Sequence, residues 1–85
     1  MVERFTVELL VANKYGVLNR VTALYAKRGY NIDSLHVNET EDSTVSRMLI
    51  TSTGDEYIRK QMVRQISKLY DVKQVVLMSQ VVIVK

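Results

Sequence analysis

The residues whose types and spacing point most directly to chemistry stand in the run Asn13-Lys14-Tyr15-Gly16-Val17-Leu18. Gly16 carries no side chain where the chain turns into a predicted helix, so the first amide groups of that helix stay open. Open amides and the positive end of a helix attract a carboxylate or a phosphate. The amide of Asn13 can both donate and accept a hydrogen bond. The segment therefore suits a small zwitterion, although the residues alone favour an ordinary turn and helix cap.

Catalytic and metal sites find little support in the residue types. The single histidine, His36, has no serine or cysteine nucleophile in a recognisable setting. Glu41 and Asp42 fall in a predicted polar turn, where solvated carboxylates are the rule. The chain has no cysteine, which removes disulfides and thiolate ligands and fits a reducing compartment. We predict no catalytic residue and no metal site in this chain.

The hydrophobic pattern of the first half of the chain predicts a strand, a helix and a second strand. Apolar residues alternate from Phe5 to Val11, as in a half-buried strand. They recur at spacings of three and four from Val17 to Arg28, which indicates an amphipathic helix that ends at Gly29. A second strand is predicted from Ile32 to about Thr40, and a slip in its alternation at 33–34 suggests a bulge.

The second half of the chain continues with a strand, a helix and a last strand. Met48 and Ile50 mark the apolar face of the third strand. Thr53 and Glu56 have the spacing of a capping box, which predicts that Thr53 opens the second helix. The remaining apolar positions are Ile58, Met62, Ile66 and Leu69 on the helix, then Val72, Val75, Val76 and Leu77 on the fourth strand.

The element order β-α-β-β-α-β predicts an α+β fold, the ferredoxin-like sandwich. In that fold one four-stranded antiparallel sheet carries two helices on one face. The 85 residues are enough for one domain. A domain this small removes only about 60% of its unfolded surface from water, so its core is thin. An exposed second strand would let two copies pair and add burial, which predicts a homodimer.

Other functions that use this topology are disfavoured by the sequence. An RNA-recognition domain needs aromatic residues on its central strands, but the first strand offers only Phe5 and the third offers none. An acylphosphatase-like enzyme needs a glycine-rich phosphate loop, and none precedes the first helix. The net charge of +3 comes from scattered lysines and arginines rather than a continuous stripe, so we predict no nucleic-acid partner.

The distribution of apolar residues also bears on location. No run of about 18 apolar residues predicts a membrane span. Residues 1–8 mix charged and apolar side chains, unlike a signal peptide. We therefore expect a cytoplasmic protein that does not contact membranes.

An ordered set of short motifs is more specific than any of these patterns. The set is Asn13-x-x-Gly16-Val17-Leu18-x-Arg20-Val21, Arg28-Gly29-Tyr30-Asn31-Ile32-x-Ser34-Leu35, Thr40-Glu41, Ser46-Arg47-Met48, Gly54-Asp55-Glu56 and Lys68-Leu69-Tyr70-Asp71-Val72. Over residues 1–78 it resembles the small regulatory subunit of acetolactate synthase (acetohydroxyacid synthase, AHAS), a family of ACT domains. Each piece alone is ordinary, and the resemblance rests on the whole set in order.

The resemblance implies a regulatory subunit without catalytic activity. Such subunits activate the catalytic subunit and confer feedback inhibition on it, and their ACT domains pair edge to edge. An amino-acid effector binds at the pair interface, valine in most cases and sometimes leucine or isoleucine. The separate catalytic subunit carries thiamine diphosphate, magnesium (Mg) and FAD, and no cofactor is expected in this chain. The alternative is a stand-alone ACT sensor of another enzyme or a transcription factor, over which the run from Arg28 to Leu35 favours acetolactate synthase.

The resemblance also assigns residues to the effector site. The backbone around Gly16, Val17 and Leu18 would hold the effector carboxylate, and Asn13 its polar head. Two further residues, Asn31 and Ile32, would come from the neighbouring protomer. Without the resemblance, Asn31 fits a turn after the helix and Ile32 an ordinary core position.

Some features depart from the family pattern. Asn19 stands where a serine is usual, and His36 where a small residue or threonine is common. Many relatives continue into a second domain after the ACT domain. We therefore expect residues 1–78 to form the ACT domain and residues 79–85 to be a tail or the start of a second domain.

Overall fold

A computed structural model describes the backbone of residues 2–83 and the side chains of residues 2–78. The elements are β1 (Val2–Ala12), α1 (Val17–Arg28), β2 (Ser34–Glu39), β3 (Val45–Gly54), α2 (Glu56–Ser67) and β4 (Val72–Ile83). All strand pairs are antiparallel, and the four strands form one sheet in the order β2-β3-β1-β4. The predicted ferredoxin-like topology is confirmed.

Strand β1 lies in the middle of the sheet and carries much of the core. Its alternating residues Phe5, Val7 and Leu9 are buried beneath the helices. On β3, Met48 lies opposite Leu9 and Ile50 lies opposite Val7, and both are buried as well. Cross-strand neighbours of this kind point to the same side of a sheet. The period-two pattern of the sequence therefore defines the helix-covered face.

Helix α1 begins and ends at the residues that the sequence predicts. Its buried face is formed by Val17, Val21 and Tyr25, at helical spacings. Gly29 adopts the left-handed conformation at φ 70°, and its amide donates to the carbonyl oxygen of Ala26 at the last turn. Leu18, the apolar residue next to Val17, is 44% exposed and lies outside this buried face.

Helix α2 is capped by Asp55 and not by the predicted Thr53. The Oδ1 atom of Asp55 accepts a hydrogen bond from the amide of Ile58 at 2.8 Å, so Asp55 is the N-cap. Thr53 still belongs to β3, and its hydroxyl donates to Asp33 Oδ2 at 2.5 Å. The predicted capping box at Thr53 is therefore wrong, because the strand continues through Gly54.

The two edge strands differ in regularity. β2 pairs with β3 without a shift of register from Ser34 to Glu39, so the slip at 33–34 marks the start of the strand and not a bulge. β4 shifts its register against β1 twice, between Thr6 and Val7 and between Leu10 and Val11. β4 also runs past residue 78, where we expect the domain to end; residues 84 and 85 of the expected tail lie outside the described residues.

Candidate functional site

The loop between β1 and α1 is tied by main-chain hydrogen bonds to two distant parts of the chain. The amide of Asn13 donates to the carbonyl oxygen of Thr44 in the β2–β3 turn at 2.8 Å. The amide of Ala12 donates to the carbonyl oxygen of Asp71, just before β4, also at 2.8 Å. The amide of Lys14 turns back onto the Ala12 carbonyl at 2.9 Å. The loop is therefore held at its beginning by two neighbouring connections.

The side chain of Asn13 makes one of the hydrogen bonds that its amide allows. Its Nδ2 atom donates to the carbonyl oxygen of Ser43 at 3.0 Å. Among the described residues, no donor reaches its Oδ1 atom. The Oδ1 atom of Asn13 is therefore open to an ammonium group, and the second N–H of its amide is open to an acceptor.

Gly16 sets the backbone at the start of α1. It lies in the left-handed region at φ 86°, where an L side chain is strained. The amide of Val17 donates to the Lys14 carbonyl oxygen at 3.3 Å, and the Val17 side chain is buried in the core. Within the described residues, the amides of Leu18 and Asn19 have no acceptor. These two amides are therefore open to a carboxylate, as are those of Tyr15 and Gly16 within the same described range.

Beside this loop lies a pocket of about 220 Å³ on the helix-covered side of the sheet. Its lining residues are Val11, Ala12, Asn13, Lys14, Val17, Leu18, Val37, Ser46 and Met48. Pockets for drug-sized ligands begin at about 300 Å³, so this one suits a smaller molecule. Its floor is apolar and its rim carries the polar loop. A larger, shallower hollow of about 780 Å³ between Leu10, Arg47 and the turn at 39–42 contains none of the predicted site residues.

Asn31 and Ile32 lie elsewhere in the chain, beyond the far end of α1. The Nδ2 atom of Asn31 donates to Asp33 Oδ1, and Ile32 is partly buried against the core. The amide of Asp33 donates to the Thr51 carbonyl oxygen, at the end of the sheet opposite to Ser46. The structure therefore brings Asn13 and residues 16–18 together, and leaves Asn31 and Ile32 apart from them within one chain.

Six residues of the pocket were not predicted from the sequence, among them Val37 and Ser46, and neither was one ion pair nearby. Val37 lies opposite Met48 on the helix-covered face, and Ser46 lies next to the loop through its pairing with Val11. The alternation of the second strand predicts that Val37 lies on its apolar face. Only the pairing of Val37 with Met48 shows that it lines the pocket. His36 lies opposite Leu49 on the other face, away from the pocket. The missed ion pair joins Arg20 to Asp71 at 2.5 Å.

Two side chains near these elements have displaced pKa values. Hydrogen bonds from the hydroxyl and the amide of Thr44 lower the pKa of Asp42, so this turn carboxylate stays ionised. Burial raises the pKa of Tyr25 well above its usual range. The Tyr25 hydroxyl lies near Ser52, yet neither oxygen has a partner of good hydrogen-bond geometry among the described residues. Tyr25 is thus a neutral core residue and no proton donor for the pocket.

The described residues hold neither a cluster of metal ligands nor a membrane-spanning helix. Within residues 2–83, no group of three or more His, Cys, Asp or Glu side chains is placed to hold a metal ion. None of the helices in that range is long and apolar enough to cross a membrane.

Solved structures with the same fold define the class of this domain. The crystal structure of the ACT domain from GTP pyrophosphokinase of Chlorobium tepidum superposes with a TM-score of 0.77. It covers 92% of this chain and 100% of that one at 14% sequence identity, which shows the shared fold alone. The chain therefore has the fold of that ACT domain.

The sequence comparisons narrow this class to one family. Residues 7–74 match the family described as AHAS small subunit-like ACT domain, and the chain belongs to that family. The crystal structure of the acetolactate synthase small subunit from Thermotoga maritima superposes with a TM-score of 0.82 at 39% identity. The superposition covers 87% of this chain and 46% of that one.

Curated relatives agree with this assignment. The acetolactate synthase isozyme 3 small subunit of Escherichia coli K12 is 46% identical over 72 residues, which cover 85% of this chain and 44% of the relative. The probable acetolactate synthase small subunit of Archaeoglobus fulgidus is 44% identical over 68 residues, which cover 80% and 43%. The chain thus spans less than half the length of these relatives.

Proposed function

We propose that this chain is a non-catalytic regulatory subunit of acetolactate synthase. In this role it binds a branched-chain amino acid, most favourably valine, between two copies of itself. It activates a separate catalytic subunit and confers feedback inhibition on it. The family membership and the names of the relatives support the regulatory assignment. Thiamine diphosphate, magnesium and FAD belong to the proposed catalytic partner.

The observation that carries the proposal is the pairing of open polar groups with a small apolar pocket. The amides of Leu18 and Asn19 can receive the effector carboxylate at the positive end of α1. The Oδ1 atom of Asn13 can accept a hydrogen bond from its ammonium. The aliphatic side chain can then lie against Val37 and Met48. These three features together match an amino acid with a branched apolar side chain.

β2 is the more regular of the two edge strands, which supports pairing of two copies through β2. Its outer residues His36, Val37, Asn38 and Glu39 are exposed, and its register is unbroken. The two register shifts of β4 oppose pairing at the other edge, because bulges twist an edge away from a partner. The homodimer therefore forms, in this proposal, by antiparallel pairing of two β2 strands.

A two-fold axis at β2 would also bring Asn31 and Ile32 of one protomer to the effector site of the other. Antiparallel pairing sets the start of β2 in one protomer beside its end in the other. Residues 31 and 32 precede the start of the strand, and the loop with Asn13 lies near the strand's end through Ser46. Each effector then contacts the loop of one protomer and Asn31 of the other. Binding stabilises the dimer by mass action, about 2.7 kcal/mol at 100 times Kd.

Purification with partners from the native host tests the regulatory role. The tagged chain should bring down a thiamine-dependent large subunit, and adding the chain to that subunit should raise acetolactate synthesis and make it sensitive to valine. Recovery of a different enzyme or a transcription factor would instead favour a stand-alone ACT sensor. The occurrence of this fold in GTP pyrophosphokinase supports that second candidate.

A further inference from the structure

The ion pair between Arg20 and Asp71 links two elements that are 51 residues apart in the sequence. The Nε and Nη2 atoms of Arg20, in the first turns of α1, donate to Asp71 Oδ2 at 2.9 and 2.5 Å. The Asp71 side chain is only 12% exposed, whereas that of Arg20 is 54% exposed. A largely buried carboxylate needs a charged partner, so this contact is more constrained than an ordinary surface pair.

Asp71 contacts the chain on both sides of the effector loop. Its carbonyl oxygen accepts from the amide of Ala12, immediately before the loop. Its carboxylate binds Arg20, shortly after the loop. A single residue therefore fixes the beginning of the loop through its main chain and the end through its side chain. Residues 13–16 of the loop therefore lie between two points that are both fixed by Asp71.

The guanidinium of Arg20 also lies against Gly16. An ideal Cβ atom built on Gly16 would be 3.3 Å from Nη1 of Arg20. Arg20 borders a separate hollow of about 70 Å³ with Leu69 and Tyr70, and that hollow shares only Val17 with the effector pocket. Arg20 thus lies beside the loop at Gly16 without lining the effector pocket.

We propose that Arg20 is a positioning residue of the effector site. Its ion pair with Asp71 holds Gly16 in the left-handed conformation that leaves the amides of Leu18 and Asn19 open. This inference rests on the proposed function for the identity of the ligand, but not for the ordering of the loop. Fixing the loop before binding lowers the conformational entropy lost when the effector arrives, so the ion pair acts on affinity.

The test compares variants of the full chain by valine calorimetry, urea unfolding and amide hydrogen exchange. Arg20→Met removes the guanidinium at similar length, and Asp71→Asn removes the opposite charge. Lys27→Met is the matched control, because it removes a positive charge from the last turn of the same helix. Arg20→Lys keeps the charge and serves if Arg20→Met does not fold.

Arg20→Met and Asp71→Asn should each weaken valine binding about tenfold, while Lys27→Met leaves it unchanged. The double variant should bind no worse than either single one, because both remove the same contact. In valine-free protein, the amides of Ala12 and Val17 should exchange faster in Arg20→Met than in Lys27→Met. Arg20→Lys should recover part of both effects, which a loss of packing alone would not produce.

Valine affinity within twofold of the unmodified chain in Arg20→Met would overturn the proposal. An equal loss in Lys27→Met would overturn it as well, because the effect would then be one of net charge. If the unmodified chain binds no branched-chain amino acid, the proposed function fails. The positioning role of Arg20 is then tested by hydrogen exchange in the valine-free protein. Unchanged exchange at Val17 in Arg20→Met would then refute it.

Discussion

Two glycines with the same backbone strain allow the effector site to be tested apart from stability. Gly16 and Gly29 both have positive φ values, 86° and 70°. A side chain at either position costs about 1–2 kcal/mol of folding free energy, because the left-handed region disfavours L residues. At Gly29 an added Cβ meets nothing within 4 Å, so Gly29→Ala reports this strain alone. A domain of ordinary stability, about 5–15 kcal/mol, tolerates the loss.

In Gly16→Asp, the negative charge of the new side chain acts in addition to the backbone strain. Two carboxylates about 5 Å apart repel by about 3 kcal/mol at an effective dielectric constant near 20, which corresponds to more than 100-fold in affinity. The guanidinium of Arg20 lies where the new side chain begins and offsets part of this repulsion. We therefore expect Gly16→Asp to weaken valine binding at least tenfold, Gly16→Ala to weaken it less, and Gly29→Ala to leave it unchanged.

Isothermal calorimetry with valine and urea unfolding of the three variants distinguish the two contributions. The loss of unfolding free energy should be similar for Gly16→Ala and Gly29→Ala. Wild-type valine affinity in a folded Gly16→Asp protein would refute the carboxylate site. An equal loss of affinity in Gly29→Ala would show that reduced stability, and not the site, governs binding.

Three further predictions follow from the assembly, the helix cap and the core. Mixing Gly16→Asp chains with Asn31→Ala chains should restore valine binding, because a heterodimer keeps one intact pocket; no recovery in demonstrated heterodimers would contradict the shared site. Asp55→Ala should lower the free energy of unfolding by about 1 kcal/mol in urea titrations, since the Ile58 amide loses its acceptor, whereas Thr53→Ala would lower it more if Thr53 were the cap. Tyr25→Phe should change it by less than about 1 kcal/mol, because its hydroxyl lacks a well-placed partner; a loss above 2 kcal/mol would reveal a hydrogen bond to Ser52.

Local signals were sufficient to predict the element order and the bounds of α1. The alternation of β1 and the left-handed Gly29 depend on near neighbours in sequence, so they could be read without tertiary information. The capping residue of α2 was missed because two candidates, Thr53 and Asp55, lie two positions apart. Only the length of β3, which is set by its pairing with β1, decides between them.

The details of the candidate site depend on contacts between distant residues. Asn13 was selected from its position before Gly16, but one of the two N–H groups of its amide donates to Ser43, 30 residues away. Arg20 and Asp71 are 51 residues apart in the sequence, and no periodic pattern predicts their ion pair. Val37 lines the pocket because the register of β2 against β3 sets it opposite Met48. Such pairings follow from the packed fold, which is why the residue types alone could not supply them.

The central position of β1 has a consequence for the order of folding during synthesis. β1 is made before the other described elements, yet its two hydrogen-bonded neighbours in the sheet, β3 and β4, are made much later. Val2 pairs with Ile83, so the last ladder contacts join opposite ends of the described chain. Closing such long loops is entropically costly and slows folding. Until β4 emerges, β1 has one open edge, and a nascent chain stalled before Val72 exposes that edge to chaperones or to other nascent copies.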